Sequence, residues 1–261
     1  MKAVILAGGL GTRIGEDTEH VPKPMIQIGG IPILVHIMKY YATYGVTDFI
    51  ICCGYKGYVI KEYFANYMLH RSDFTIDMAN DKISVHRKNF DDWNVTLVDT
   101  GDISQTGGRL KRVEKYVEGE ECFHFTYGDG LSDVDLNKLT DFHLKHNKSA
   151  TVTSVMPPGR FGALVTKDNM VTSFEEKPMG DGGRINGGYF ILDPKVIKYI
   201  DADDSIWEQE PLKKLASTGE LMAFSHDGFW QPMDTLRDKN LLIEYWNSGK
   251  APWAIRGKHV Q

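Results

Sequence analysis

The sequence predicts an α/β fold built on a doubly wound, mostly parallel but mixed sheet. Short apolar runs rich in Val, Ile and Phe recur along the chain, and each is long enough for one buried strand. Segments with a single apolar face at helical spacing separate most of these runs. Later runs have little helix between them, which predicts an added mixed or antiparallel β portion. Alternating strands and helices of this kind are typical of a Rossmann-like architecture, whose ligands lie beyond the carboxyl ends of the strands.

Each element follows from its own pattern. The predicted buried strands are Ala3–Ala7, Asp48–Cys53, Asn94–Val98, Cys122–Tyr127 and Ala150–Val155. The predicted helices are one from Ile33 to Tyr41, one over Arg109–Tyr116 and one containing Leu136, Leu139 and Phe142. The added β portion comprises Ala163–Thr166, Met170–Phe174 and Gly188–Leu192. The stretch Met68–Trp93 breaks the alternation, so we interpret it as an inserted arm.

The amino-acid composition limits the domain organisation and the kinds of partner to be expected. The chain has 261 residues, 42% of them hydrophobic, which suits one large domain over residues 1–261. A formal net charge of −5 gives no basic field, so neither nucleic acid nor a membrane surface is expected as a partner. The apolar run after Met1 is too short for a signal peptide or a membrane span, which predicts a cytoplasmic protein. Cys52, Cys53 and Cys122 lack the spacing of a zinc or redox motif and are expected to be buried thiols.

A glycine-rich loop follows the first strand. The segment Leu6–Arg13 reads Leu-Ala-Gly-Gly-Leu-Gly-Thr-Arg. Its glycines allow backbone N–H groups to approach phosphate oxygens, and its arginine adds a planar fork of donors. A plain turn is the alternative. A redox dinucleotide site is rejected, because its glycine loop opens directly into a helix, whereas Pro22 and Pro24 delay the next helix here.

Three charged residues accompany this loop. Lys23 lies between Pro22 and Pro24, which restrict its backbone and suggest a fixed position near bound phosphates, although a solvated lysine remains the alternative. Asp129 follows the strand Cys122–Tyr127 and offers hard oxygen atoms suited to Mg²⁺, although the surrounding glycines also fit a simple turn. Asp234 is the candidate for a second carboxylate ligand.

These segments together resemble the sugar-phosphate nucleotidyltransferase family. The resemblance is carried by Leu6–Arg13, Lys23–Pro24, Gly128–Asp129–Gly130, Glu176–Lys177–Pro178 and Asn186–Gly187–Gly188–Tyr189. Further segments resemble the branch of the family that uses CTP and glucose 1-phosphate: Asp99–Arg109, Trp207–Leu212 and Gly228–Thr235. The resemblance covers nearly the whole chain and implies synthesis of CDP-glucose with release of pyrophosphate.

The resemblance also implies roles for individual residues. The implied nucleotide contacts are Leu6, Ala7, Gly8, Gly9, Leu10, Gly11, Thr12, Arg13, Lys23, Ser104, Arg109 and Gly128. Arg13, Lys23 and Asp129 are the implied catalytic residues, and Asp129 and Asp234 the implied Mg²⁺ ligands. The implied sugar-phosphate contacts are Gly162, Glu176, Lys177, Asn186 and Gly187. The nucleotide part would occupy residues 1–135 and the sugar-phosphate part residues 136–240, with the added β portion covering the sugar side. A homo-oligomer, a hexamer, is implied as well, with 68–93 as a possible assembly arm.

Several alternatives stay open at this point. Arg109 is our candidate for reading cytosine, because a donor-only side chain matches the acceptors at O2 and N3, but a solvent-facing arginine at a helix start is the alternative. The same reaction with UTP or dTTP is the nearest rival function, and a non-catalytic regulatory subunit is the rival from another class. Trp207 and Trp230 could each stack on a sugar or a base, but tryptophans most often bury large apolar area, and packing is the preferred expectation for Trp207. The histidines at 36, 143, 146 and 226 lack zinc-site spacing and are expected to be structural or solvated.

Overall fold

The computed structural model of the chain describes residues 1–9, 21–87, 91–157, 163–167, 170–175 and 183–254. The strands are β1 (Ala3–Ala7), β2 (Gln27–Ile28), β3 (Ile31–Pro32), β4 (Asp48–Cys53), β5 (Asp73–Asp77), β6 (Lys82–Arg87), β7 (Asn94–Asp99), β8 (Phe123–Tyr127), β9 (Gly130–Ser132), β10 (Ala150–Val155), β11 (Ala163–Lys167), β12 (Met170–Glu175), β13 (Ile185–Leu192), β14 (Leu221–His226) and β15 (Trp230–Pro232). The α-helices are α1 (Ile33–Thr43), α2 (Gly57–Ala65), α3 (Tyr67–His70), α4 (Thr106–Arg112), α5 (Glu114–Val117), α6 (Leu136–His146), α7 (Glu210–Ser217) and α8 (Leu236–Asn247). Short 3₁₀ turns form at Lys23–Met25 and Pro194–Tyr199.

Seven strands form the main sheet, in the order β14-β10-β13-β8-β1-β4-β7. The pairs β1–β4, β1–β8, β4–β7 and β10–β14 are parallel, whereas β13 is antiparallel to both of its neighbours. Six of the seven strands therefore end at the same edge, and this mixed α/β sheet confirms the predicted fold class.

The sheet has a hydrophobic core on each face, as the strand period of two requires. Along β1, Ala3, Ile5 and Ala7 join a cluster with α1, α6 and α8, while Val4 and Leu6 join a second cluster with α4 and α7. All five β1 residues are buried. Because β1 is covered on both faces, its sequence is an uninterrupted apolar run.

The last β portion differs from the prediction in one respect. The run Gly188–Leu192 was expected in an added unit, but it belongs to β13, in the middle of the main sheet. The physical reason is that β13 pairs antiparallel with β10, so no crossover helix is needed between them. The runs that contain β11 and β12 do form a separate two-stranded unit.

The inserted arm forms a hairpin of β5 and β6. At its base, the rings of Tyr67 and Trp93 stack with centroids 5.8 Å apart. The predicted single helix over Arg109–Tyr116 is divided into α4 and α5.

The three cysteines are free and buried, as predicted, and burial raises the pKa of the Cys53 and Cys122 thiols to about 11. Within the described residues, no helix combines the length and the apolar character that crossing a bilayer requires.

Candidate active site at the carboxyl edge of the sheet

The candidate site lies where the parallel strands end. Strands β1, β4, β7 and β8 finish side by side at Ala7, Cys53, Asp99 and Tyr127. The beginning of β13 joins the same edge, because that strand runs in the opposite direction. The segments that follow these ends carry most of the residues that the sequence singled out, which agrees with the rule for ligand sites in open α/β sheets.

Lys23 is held at this edge by two carboxylates. Its Nζ donates to Asp129 Oδ2 at 2.6 Å and to Asp234 Oδ1 at 2.8 Å. The lysine side chain is only 12% exposed, and the carboxylates are 31% and 28% exposed. Burial lowers the pKa of Lys23, but the two carboxylates, Asp129 foremost, outweigh it and leave that pKa raised. Lys23 is therefore a firmly protonated cation beside two partly open acids.

The local backbone explains the position of Lys23. Pro22 precedes and Pro24 lies within the 3₁₀ turn Lys23–Met25, where the fixed φ of proline suits the turn. Pro24 is buried and packs close to Gly128, so that a Cβ added to Gly128 would lie 3.2 Å from Pro24 Cγ. The turn is thus anchored against the segment that carries Asp129.

A short ladder brings Asp129 and Asp234 together. Strand β9 pairs antiparallel with β15, and just beyond the ladder the Met233 backbone N–H donates to the Asp129 carbonyl at 2.8 Å. Asp234 then precedes α8, whose capping box is formed by Thr235 and Asp238. Asp238 Oδ2 also accepts from the Asp234 backbone N–H at 3.1 Å. The second carboxylate is therefore fixed by a strand on one side and a helix cap on the other.

The same pair of acids fits a hard divalent cation. The Lys23 ammonium already shows that positive charge is stable between Asp129 and Asp234. Both donors are carboxylate oxygens, which suit Mg²⁺, an ion that typically takes one or two protein carboxylates and completes its shell with waters and substrate phosphates. Among the described residues, no cluster of three or more His, Cys, Asp or Glu residues forms a fully protein-bound metal site.

Arg109 fastens the start of the glycine loop. Its Nη2 donates to the carbonyl of Gly8 at 2.9 Å, and its Nη1 donates to the hydroxyl of Thr100 at 2.8 Å and to the carbonyl of Gly101 at 2.7 Å. A Cβ on Gly8 or on Gly54 would lie 2.2 Å from Arg109 Nη1, so both glycines make room for the guanidinium. The side chain is buried, and the alternative of a solvent-facing arginine is wrong.

Two other predicted nucleotide residues lie close by. Ser104 Oγ is buried and has no hydrogen-bond partner among the described residues. The Gly128 backbone N–H donates to the carbonyl of Leu6 at 2.8 Å, and a Cβ there would lie 2.7 Å from that oxygen. Residue 128 therefore has to be glycine for the end of β8 to lie this close to the Leu6 carbonyl.

The predicted sugar-phosphate residues Asn186 and Gly187 lie on β13, which borders β8 on the side away from β1. Asn186 Nδ2 donates to the Tyr127 hydroxyl at 3.3 Å, and the Gly187 carbonyl accepts from Trp230 Nε1 at 2.7 Å. Trp230 thus bonds to the backbone of one of the predicted sugar-phosphate contacts. Several predicted site residues lie outside the described part of the chain: Leu10, Gly11, Thr12, Arg13, Gly162, Glu176 and Lys177.

Some neighbouring side chains belong to the core. Trp207 is fully buried, which confirms its predicted packing role. His36 bonds the Ile28 carbonyl, and His143 bonds Thr151 and Asp193, so these histidines are structural as expected.

Sequence reasoning missed Glu208 as a site residue. Its carboxylate accepts from the Tyr127 hydroxyl and from Thr106 Oγ1, the latter at 2.6 Å. The run Trp207–Leu212 was noted only as part of a resemblance. No local pattern could identify Glu208, because both partners are distant in sequence.

The chain is similar to several known nucleotidyltransferases over nearly its whole length. A family model described as nucleotidyl transferase matches residues 2–235. The glucose-1-phosphate cytidylyltransferase of Salmonella typhimurium is 64% identical over 97% of this chain and 98% of its own length. A probable glucose-1-phosphate cytidylyltransferase of Bacillus subtilis is 43% identical over 98% of this chain and all of its own length. The crystal structure of HddC from Yersinia pseudotuberculosis in complex with GMP-PN is similar at a TM-score of 0.69, with 27% identity, and covers 94% of this chain and 99% of that one.

Proposed function

Since this chain belongs to the nucleotidyl transferase family, we propose that it transfers a cytidylyl group from CTP to glucose 1-phosphate, giving CDP-glucose and pyrophosphate. The observation that carries the proposal is the meeting of Lys23 with Asp129 and Asp234 beside the glycine loop. The choice of substrates rests on the Salmonella relative, which is similar over nearly the whole chain.

The reaction needs no general base. A phosphate monoester with a second pKa of about 6 is largely dianionic at neutral pH, so its oxygen can attack unaided. That oxygen forms a bond to the α-phosphorus of CTP, while the bond from the α-phosphorus to the bridging oxygen breaks in line with it. The pyrophosphate leaves with the bonding electron pair. The protein therefore contributes by positioning the substrates and by neutralising charge.

Lys23 is the residue we assign to the transferring centre. Its ammonium is fixed at this edge by Asp129 and Asp234, and its protonated form is favoured by these neighbouring acids. In the complex it would donate to the oxygens of the α-phosphate, where negative charge develops. Arg13, by the family resemblance, would hold the β- and γ-phosphates. The glycine loop, which Arg109 fastens through Gly8, would give the backbone its close approach to the triphosphate.

We propose that the site binds Mg²⁺ and that Asp129 and Asp234 are its protein ligands. Nucleotidyl transferases of this family generally use a divalent metal. Bound there, the ion supplies positive charge to the nucleotide phosphates and the departing pyrophosphate. The fit of two oxygen donors around a common cation position supports this assignment.

The sugar 1-phosphate would lie next to β13. Asn186 and Gly187 are the described residues that we assign to it, and Gly162, Glu176 and Lys177 complete the set by family resemblance. The bond from Asn186 to Tyr127 supports this placement, because Tyr127 is only two residues from Asp129. The acceptor sugar and the proposed metal ligand would therefore meet at the end of β8.

Base selection is assigned to the segment that contains Ser104 and Arg109. A donor-only guanidinium matches the O2 and N3 acceptors of cytosine, whereas uracil and thymine carry a donor at N3, and a hydroxyl, which both donates and accepts, does not discriminate between them. Both Nη atoms of Arg109 donate to protein groups, so base reading by Arg109 would require one of them to turn from the loop to the base. The unpartnered Ser104 Oγ supports a ligand contact at this place. Assays of Arg109→Ala and Ser104→Ala with CTP, UTP and dTTP test the assignment. Unchanged discrimination in a variant removes that residue from base reading.

The two substrate parts share one sheet, which supports a single domain over residues 1–261. Strands β1, β4, β7 and β8 come from the proposed nucleotide part, residues 1–135, and β10, β13 and β14 come from the proposed sugar-phosphate part, residues 136–240.

We also propose a homo-oligomer, a hexamer by family resemblance, with the β5–β6 arm in its contacts. The arm exposes large apolar side chains on both strands and in the turn between them: Phe74, Ile76, Met78, Ile83 and Val85. Exposed apolar groups in such a cluster are typical of an assembly surface. Light scattering should therefore show a smaller particle when Ile76 and Ile83 are both changed to Lys.

The experiment that tests the proposed function is an assay of pyrophosphate release with every combination of CTP, UTP and dTTP and of several sugar 1-phosphates, with and without Mg²⁺. We expect release above background only when a sugar phosphate and Mg²⁺ are present, with CTP and glucose 1-phosphate as the best pair. Release with UTP or dTTP at the same rate would overturn the choice of base, and the absence of release with any pair would overturn the function.

A further inference from the structure

Glu208 stands in the middle of a chain of hydrogen bonds that crosses the proposed site. One carboxylate oxygen accepts from Thr106 Oγ1 at 2.6 Å, and the other accepts from the Tyr127 hydroxyl. The Tyr127 oxygen in turn accepts from Asn186 Nδ2 at 3.3 Å. One acid thus connects the start of helix α4 with strands β8 and β13.

The two ends of this chain belong to the two substrates. Thr106 begins helix α4, which follows Ser104 and carries Arg109. At the other end, Tyr127 immediately precedes Gly128 and Asp129, and Asn186 is assigned to the sugar phosphate. Glu208 is therefore in contact with the base side and the sugar side at once.

The charge of Glu208 fixes the direction of every bond in the chain. An ionised carboxylate only accepts, so both hydroxyl groups must donate to it. The Tyr127 oxygen is then left to accept, which orients the Asn186 amide with its NH₂ toward Tyr127. The Asn186 Oδ1 faces the other way and accepts from the Gly188 backbone N–H at 2.8 Å.

The base side is ordered in the same way. The Thr106 hydroxyl donates to Glu208 and accepts from the Trp207 backbone N–H at 2.9 Å. Gly107 and Gly108 lie against the segment before Glu208, and both of their backbone N–H groups donate to the carbonyl of Ser205, at 2.9 and 3.1 Å. A Cβ on Gly108 would lie 2.1 Å from the carbonyl oxygen of Asp203, so this contact requires glycine. Helix α4 is therefore fixed to the segment that carries Glu208.

We propose that Glu208 is a positioning residue that orients Asn186 toward the sugar phosphate through Tyr127 and fixes helix α4 toward the base through Thr106. This inference rests on the proposed function. It assigns Glu208 no contact with either substrate. The two hydroxyl groups act as separate branches, so their effects are separable by mutation.

Four variants separate the branches. Tyr127→Phe keeps the ring but removes the hydroxyl, and we expect the KM for glucose 1-phosphate to rise about tenfold while the KM for CTP is unchanged, as the loss of one oriented hydrogen bond predicts. Thr106→Val should raise the KM for CTP and leave that for glucose 1-phosphate unchanged. Glu208→Ala should raise both. Glu208→Gln should be milder than Glu208→Ala, since an amide oxygen still accepts from one of the two hydroxyl groups.

The matched control is Glu210→Gln. Glu210 lies two residues from Glu208, is exposed, and forms an ion pair with Lys213 of its own helix. The melting temperature of every variant is measured beside the two KM values. A merely structural role predicts a lower melting temperature with both KM values unchanged in Glu208→Ala, and that result would overturn the inference. Equal changes of both KM values in Tyr127→Phe would overturn it as well.

The outcome for the wild-type protein separates the two proposals. If the wild-type protein releases no pyrophosphate with any substrate pair, the proposed function itself fails. If the wild-type protein is active and the branches do not separate, only the role of Glu208 fails.

Discussion

Lys23 and Asp129, which are 106 residues apart in the sequence, form an ion pair of 2.6 Å at the carboxyl edge of the sheet. Asp234 contacts the same ammonium from the other side. This arrangement stores one positive charge between two acids before any substrate arrives, and the first two predictions follow from it.

Changing Lys23 to Ala should lower turnover by about 10²–10³-fold, because one lost charge-stabilising group at a reacting centre typically has an effect of this size. The measurement is the rate of pyrophosphate release at saturating substrates. Lys138→Ala is the matched control, since this lysine is 76% exposed and lies on helix α6. Near-normal turnover of Lys23→Ala would refute the assigned role.

Lys23 should also compete with a divalent cation for the two acids. In the absence of nucleotide, we expect Lys23→Gln to bind Mn²⁺ about tenfold more tightly than the wild-type protein, because a neighbouring positive charge is removed. Asp129→Asn and Asp234→Asn should weaken the binding. Electron paramagnetic resonance of free Mn²⁺ measures this without any turnover. Equal affinities in all four proteins would show that the metal binds elsewhere.

Arg109→Ala should destabilise the fold. The change removes two charged donors, one from the buried Gly8 carbonyl, which keeps only the longer bond from the Tyr55 backbone N–H at 3.3 Å, and one from the half-buried Gly101 carbonyl. A hydrogen bond to a charged group typically contributes about 1.5–3 kcal/mol. We expect a clearly lower free energy of unfolding in urea. Arg112→Ala is the control from the same helix, because the Arg112 side chain is 41% exposed and its pair with Asp203 lies at the surface, where ion pairs contribute little. A similar loss in both variants would contradict the structural role of Arg109.

The two glycines beside Asp129 should respond differently to Ala. A Cβ on Gly128 would lie 2.7 Å from the Leu6 carbonyl oxygen, whereas a Cβ on Gly130 meets nothing within 4 Å. Gly128→Ala should therefore lower the melting temperature, since strand β8 and the glycine loop must separate. Gly130→Ala should leave it nearly unchanged. The opposite order of melting temperatures would contradict the close approach described for Gly128.

The stability of the protein should fall in mild acid partly because of His36. Its Nε2 bonds the Ile28 carbonyl and its Nδ1 accepts from Trp253 Nε1 at 3.3 Å, an arrangement that only the neutral ring can make. Burial lowers the pKa of His36 to about 4, from 6.5 in the unfolded chain. The unfolded state therefore binds more protons between these values, so the stabilisation is complete above pH 6.5 and is lost as the pH falls toward 4.

The measurement is the free energy of unfolding in urea across this pH range. We expect the wild-type protein to lose about 3 kcal/mol more than His36→Gln between pH 6.5 and 4, from about 1.4 kcal/mol per unit of pKa shift. His70→Gln, at an exposed position, is the control. Parallel curves for the wild type and His36→Gln would exclude His36 as a cause.

The fold was predictable wherever a strand is buried on both faces. Strands β1, β4 and β10 begin and end at the predicted residues, because most of their positions are buried and carry apolar or small side chains. Strand β14 was missed, since it lies at the edge of the sheet and alternates partly exposed residues. The place of β13 depends on the direction of its return from β10, which no local pattern records.

Some residues of the candidate site could be predicted from the sequence, and others could not. Lys23, Asp129 and Asp234 were singled out from turn chemistry and resemblance, and the structure does bring them together. The inward position of Arg109 was not foreseen, because its partners are backbone carbonyls that meet only through the order of the strands. Glu208 was not identified from the sequence for the same reason, since Thr106 and Tyr127 approach it only in the folded chain.

The pairing of β9 with β15 determines when, during synthesis, the two acids of the proposed site come together. A ribosome adds about 5–20 residues per second, so Asp234 is made about 5–20 s after Asp129. Strands β1, β4, β7 and β8 are all made before Asp129, and β10, β13 and β14 are made in this interval. The second acid can join the first only when β15 has been made and has paired with β9, so the two acids meet only after all seven strands of the main sheet have been made.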